Sequence, residues 1–120
     1  MLIRCLAVGI GGFFGSILRY LITKVEINTH NNFPINTLMA NVLGAIMIGI
    51  IIAESQKNGI SQNKLLFLKF GLCGGLTTFS TFSYEIFEYF ENGNALIGIV
   101  YAIISLILCL LGVMIGIKMV

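Results

Sequence analysis

Residues Ala95–Ile117 read ALIGIVYAIISLILCLLGVMIGI, a run without a single acidic or basic side chain. A helix rises about 1.5 Å per residue, so a hydrocarbon layer about 30 Å thick is crossed by about 20 residues of this kind. The run is long enough for that and too apolar for the surface of a soluble protein, so it reads as a transmembrane helix. Working outward, three further runs of crossing length appear: Leu2 to Thr23, Ile35 to Ala53 and Lys64 to Phe90. Arg4 and Arg19 stand near the two ends of the first, where long side chains snorkel to the interface. The third is longer than one crossing requires and is interrupted midway by Gly74-Gly75 and Thr77-Thr78, so it reads as a helix broken near the membrane midplane. The connections are polar: Glu26 to Asn32 before Pro34, with His30 as a solvated loop residue, then Glu54 to Asn63, then Glu91 to Asn94.

Composition points the same way. The chain of 120 residues is 58% hydrophobic and 10% charged, with a mean hydropathy of +1.00. A soluble domain carries roughly a quarter charged residues. The expected fold is therefore all-α, one transmembrane domain of four helices over residues 1–120, with no room for the lid or cofactor fold of an enzyme. The first run outlasts a signal-peptide core and lacks a small-x-small cleavage site, so it is expected to remain as a helix. A net charge of +2, dispersed along the chain, gives nucleic acid no basic patch to bind. Cys5, Cys73 and Cys109 stand singly in apolar segments and read as small hydrophobic fillers. Small residues recur at i, i+4 in Gly11/Gly15, Ala40/Gly44, Gly71/Gly75 and Gly112/Gly116, the spacing that lets helix backbones approach. Four short helices enclose little pathway alone, so an oligomer is expected, and spacing does not say whether these faces pack inside the chain or between chains.

The chemistry concentrates after the glycine pair, in Thr77-Thr78-Phe79-Ser80-Thr81-Phe82-Ser83. Hydrocarbon offers no water, so unwound backbone persists there only where protein, an ion or a wet cavity satisfies its polar groups. A break exposes carbonyls at one half-helix end and amides at the other, which suit a cation and an anion respectively. Phe79 and Phe82, three residues apart, project from adjacent positions of one face, and aromatic ring edges carry partial positive charge. Tyr101, Ser105 and Cys109 recur every fourth residue and form a second polar line, and Asn41 adds an intramembrane amide. No Asp, Glu or His lies mid-span to relay protons. Glu85, Glu88 and Glu91 fall toward the end of the third run and read as a solvated helix end or vestibule.

The run Gly71–Ser83 (GLCGGLTTFSTFS) resembles the signature of the Fluc (CrcB) fluoride channels. Gly11–Tyr20 (GGFFGSILRY) and Asn36–Gly44 (NTLMANVLG) are similar to two further segments of that family, so the resemblance covers essentially the whole chain. It implies a dual-topology dimer in the cell membrane, two antiparallel subunits with two fluoride pores at their interface and a central structural sodium ion. It implies that the backbone carbonyls of Gly74 and Thr77 hold the sodium. Phe79 and Phe82 then line the pore with their edges, Asn41 supplies the pore amide, and Ser80 and Thr81 a polar track. Tyr101 and Ser105 line the pore from the fourth helix, and Arg19 stands near the vestibule. Cys109 falls where a hydroxyl residue occurs in the family. Fluoride is small and strongly hydrated, so a pore has to replace its water with many neutral donors, weakly enough for the ion to leave again.

The alternative is a small four-helix multidrug-type exporter, which requires a membrane-embedded carboxylate in its first helix. Leu2 to Ile22 contains none. Arg4, Lys57, Lys64, Lys69 and Lys118 gather toward one end of the bundle, against Arg19 and Lys24 toward the other. That bias favours one orientation under the positive-inside rule, whereas dual topology needs near balance. The expected partner is therefore a second copy or a paired family member of opposite bias.

Overall fold

The structure is a computed structural model that describes residues 1–29 and 32–120. The loop expectation for His30 lies outside the described residues. Six helical elements and one π-helical stretch follow in order: α1 (Leu2–Thr23), α2 (Ile35–Lys57), α3 (Gln62–Leu66), the π stretch (Phe67–Cys73), α4 (Gly74–Leu76), α5 (Ser80–Glu91) and α6 (Ala95–Lys118). Four spans are long and apolar enough to cross a membrane: α1, α2, the stretch Gln62–Glu91, and α6. The protein is an all-helical, multi-pass membrane protein. Its longest dimension, 48 Å, slightly exceeds the 40–45 Å of a bilayer with its headgroups.

Apolarity marks the membrane and not the helix, which is why α2 runs on from the expected Ala53 to Lys57. Glu54, Gln56 and Lys57 are good helix formers, and Asn58 ends the helix with its N–H on the Glu54 carbonyl before Gly59 turns the chain at φ +78°. Pro34 precedes the first turn of α2, where its missing N–H costs nothing.

The small faces are used inside the chain. Gly11 and Gly15 of α1 lie backbone to backbone against Gly71, Leu72 and Gly75, and a Cβ on Gly71 would stand 2.7 Å from the Val8 carbonyl oxygen. Gly49 of α2 meets Val113 and Gly116 of α6 in the same way, and Gly112 sits over Ala45. The bundle thus consists of two tight pairs, α1 with the third span and α2 with α6. Such contact gains dispersion and weak Cα–H···O bonds, since lipid removes the hydrophobic drive between helices. The i→i+5 bonding of Phe67–Cys73 coincides with the contact that Gly71 makes on α1.

The ends of the bundle are tied too. The Asn36 amide donates to the carbonyls of Thr23 and Val25 at one end, and Lys57 Nζ donates to the Val120 carbonyl at the other. At most 39% of the most apolar window of any span is buried within the chain. Side chains such as Phe13, Leu21, Leu106 and Leu110 face outward, an arrangement that requires lipid or a second subunit around them.

Candidate functional site

Helical assignment stops after Leu76 and resumes at Ser80. Thr77 closes the first part with its N–H on the Cys73 carbonyl at 3.0 Å, and its hydroxyl donates to the same carbonyl at 2.9 Å. The backbone then turns extended at Thr77, φ −86° and ψ 158°. Thr78 has no helical partner for its N–H or its C=O, and Asn41 of α2 supplies both. Thr78 N donates to Asn41 Oδ1 at 2.8 Å, and Asn41 Nδ2 donates to Thr78 O at 3.2 Å. One side-chain amide therefore stands in for the lost helix bonds, as the absence of water demands. The Thr78 hydroxyl accepts from the Thr81 amide in the first turn of α5, and Ser83 N on the Phe79 carbonyl starts the next helical ladder.

Arg19 turns back onto the third span. Its Nε donates to the Gly75 carbonyl at 3.0 Å, which places a half-buried guanidinium at the carbonyl-rich end of the first helical half. Gly74 carries no such burden. A Cβ built on it finds only the Lys69 carbonyl, at 4.0 Å, and its backbone is ordinary right-handed helix at φ −63°. Neither packing within the chain nor backbone conformation calls for glycine there, in contrast to Gly75, whose Cβ would come within 2.7 Å of the Gly12 carbonyl oxygen.

Beside the interruption lies an open groove of about 430 Å³ between α2, the third span and α6. Of the residues expected to serve the site, it brings together Asn41, Gly74, Thr77, Phe79, Phe82 and Ser105, with Cys109 beside them. The Phe79 and Phe82 rings stand 5.8 Å apart, tilted by 50°, and Phe79 is 79% exposed. Asn41 spends one N–H on Thr78, and its second N–H remains. Ser105 is 5% exposed, and its hydroxyl has no partner among the described residues. Ser80 and Thr81, both exposed, do not line the groove.

Tyr101 is fully buried one turn away. Phe82 meets its ring edge-on at 5.2 Å, and its hydroxyl donates to Glu85 Oε1 at 3.1 Å. Thr37 donates to the other Glu85 oxygen at 3.0 Å. Glu85 is thus half-buried against α2 and α6 and also lines a polar pocket with Glu88, Asn92 and Asn94, in keeping with a vestibule, while Glu88 and Glu91 are exposed. The sequence held a signal for it: Glu85 follows Phe82 by three residues and so shares its face. No group of three or more His, Cys, Asp or Glu side chains that could hold a metal ion occurs among the described residues.

Residues 6–117 match the family model described as "CrcB-like protein, Camphor Resistance (CrcB)". The chain belongs to the CrcB family. Among its CrcB relatives, a protein of Clostridium perfringens (strain 13 / Type A) is 50% identical over 120 residues, covering 98% of this chain and 94% of the relative. One of Clostridium novyi (strain NT) is 48% identical, over 96% and 91%. A third, from Ruminiclostridium cellulolyticum, is 42% identical, over 96% and 90%. Each of these three CrcB proteins is named a fluoride-specific ion channel, FluC.

Proposed function

We propose that this chain is a fluoride-selective ion channel of the cell membrane, which lets cytoplasmic fluoride leave passively. The observation that carries the reading is the groove at the helix interruption. Its wall offers the second N–H of Asn41 and the rings of Phe79 and Phe82, its lining includes Ser105, whose buried hydroxyl has no partner among the described residues, and it contains no carboxylate. These are neutral or weakly electropositive groups, able to replace the hydration of a small anion without trapping it. The relatives named as fluoride channels, similar over almost their whole length, supply the identity of the ion. An export mechanism driven by protons is not favoured, because α1 contains no carboxylate.

The site is incomplete in one chain. Phe79 projects from the groove, the groove is open on one side, and among the described residues only the Lys69 carbonyl, at 4.0 Å, approaches the space over Gly74. The working unit is an antiparallel, dual-topology dimer in which a second subunit closes two such grooves into pores, with the third span of each functioning as a helix broken at the midplane. The carbonyls of Gly74 and Thr77 fit a sodium ion. Both residues line the open face, Arg19 has taken the intervening Gly75 carbonyl, and no donor among the described residues reaches the Thr77 carbonyl. Two carbonyls are too few for an alkali cation, and a second subunit doubles them. The ion supplies the charge that holds the carbonyl-rich ends together. The partner is a second copy or a family member of opposite Lys/Arg bias.

The test is fluoride efflux from liposomes containing the purified chain, with chloride as the comparison. Fluoride efflux with chloride retained is the expected result. Chloride efflux at a comparable rate refutes selectivity, and absence of fluoride flux both from the chain alone and from the chain co-expressed with a partner refutes the channel reading.

A further inference from the structure

The groove runs away from the interruption in one direction. Along α2 it passes from Asn41 to Ile48, along α6 from Ser105 to Val113, and along the third span from Thr78 back to Lys69. All three lead to the end of the bundle where Lys57 meets Val120. Lys69 stands at the outer limit of the groove and is the one lining residue with a full charge among the described residues. It is half-buried. Its ammonium lies 5.3 Å from the Phe70 ring centre, and the described residues give it no carboxylate partner. Glu54, the acid toward that end, accepts a hydrogen bond from Asn58 instead.

A lysine without a carboxylate partner keeps its positive field available to a mobile anion. From these facts we infer that Lys69 is an anion-capture residue at the mouth of the groove, which concentrates fluoride there before the ion meets the neutral donors further in. The inference rests on the fluoride-channel reading and adds to it a fixed charge outside the residues of the interruption. Low-dielectric walls focus the field of such a charge and raise the local concentration of the opposite sign. A capture charge at the mouth acts on loading: it lowers the fluoride concentration that half-saturates flux and leaves the maximal flux, set further in, nearly unchanged. It attracts small anions in general and so contributes nothing to the choice of fluoride over chloride.

Fluoride flux against fluoride concentration, measured on the conducting assembly in liposomes, tests this at two ionic strengths set with an impermeant salt. The variants are Lys69→Met and Lys69→Gln, which remove the charge, and Lys69→Arg, which keeps it. At about 10 mM ionic strength the Debye length is about 30 Å, and the neutral variants should need roughly three- to tenfold more fluoride for half-saturation. At about 1 M it is about 3 Å, and the difference should fall below about twofold. Lys69→Arg should follow the parent at both. A parent that conducts while both neutral variants match it at low salt overturns the inference and leaves the channel reading intact. A defect of equal size at both ionic strengths also overturns it, since packing is not screened by salt. A parent assembly that passes no fluoride overturns the channel reading itself, and the role of Lys69 with it.

Discussion

Replacing Asn41 with leucine removes one side chain and strands two backbone groups. Thr78 N–H and C=O both bond to the Asn41 amide, at 2.8 and 3.2 Å, and they sit where the helix offers no substitute. An unsatisfied buried donor or acceptor costs about 1–3 kcal/mol, so two cost about 2–6 kcal/mol if the site stays dry. Single polar bonds between membrane helices measure about 0.6–2 kcal/mol, because the disrupted state also finds partners, and this sets a lower bracket of about 1–4 kcal/mol. The overlap, about 2–4 kcal/mol, is the expected loss for Asn41→Leu. Asn41→Ala should lose less, since the groove beside Asn41 lets water reach Thr78 once the amide is gone. Asn41→Asp keeps an acceptor for the Thr78 N–H, sets a second oxygen against the Thr78 carbonyl and puts a negative charge on the groove wall. It should therefore stop fluoride flux more completely than its stability loss accounts for. The assays are equilibrium unfolding in mixed micelles and fluoride efflux from liposomes. Wild-type stability for Asn41→Leu, or better flux for Asn41→Asp than for Asn41→Ala, would show that the amide neither clamps the interruption nor faces the anion.

Phe79→Ile and Phe82→Ile should each slow fluoride flux at least about tenfold, because isoleucine lacks the electropositive ring edge. Only Phe82→Ile should also lower stability, by about 1 kcal/mol, since Phe82 packs on Tyr101 while Phe79 is open; equal stability losses would contradict the packing described. Gly75→Ala should destabilise the chain by about 1–3 kcal/mol through its collision with the Gly12 backbone, whereas Gly74→Ala should leave the single chain unharmed and weaken the dimer and its dependence on sodium. Size-exclusion chromatography with and without sodium, beside unfolding, separates the two. Identical behaviour of the two variants would remove the argument for an ion over Gly74.

The bilayer makes much of this fold legible, because it prescribes the length and apolarity of each span, and Ala95–Ile117 could be nothing else. Helix ends were less legible: Glu54 to Lys57 leave the apolar run without leaving α2. The π stretch Phe67–Cys73 was not foreseen, since its coincidence with the Gly71 contact on α1 is tertiary and leaves no local signal. At the site, the i, i+3 spacing of Phe79 and Phe82 was enough to pair their rings. Composition alone failed to divide the hydroxyl cluster, in which Thr77 and Thr78 face the groove and Ser80 and Thr81 do not. Glu85 was read from its place near a span end, whereas its environment is set by Thr37 and Tyr101, distant in the chain.

The pairing of α1 with the third span and of α2 with α6 is interleaved along the chain, and this governs how the protein can be made. The first two spans emerge with glycine faces whose partners lie further along the chain. Gly11 and Gly15 must wait for Gly71 and Gly75. At roughly 5–20 residues per second, the roughly 60 intervening residues take about 3–12 seconds to synthesise. Gly49 likewise waits for Gly116. The pair of α1 with the third span can thus close before α6 is made, whereas the Gly49 face of α2 has no partner within the chain until Gly116 enters the membrane.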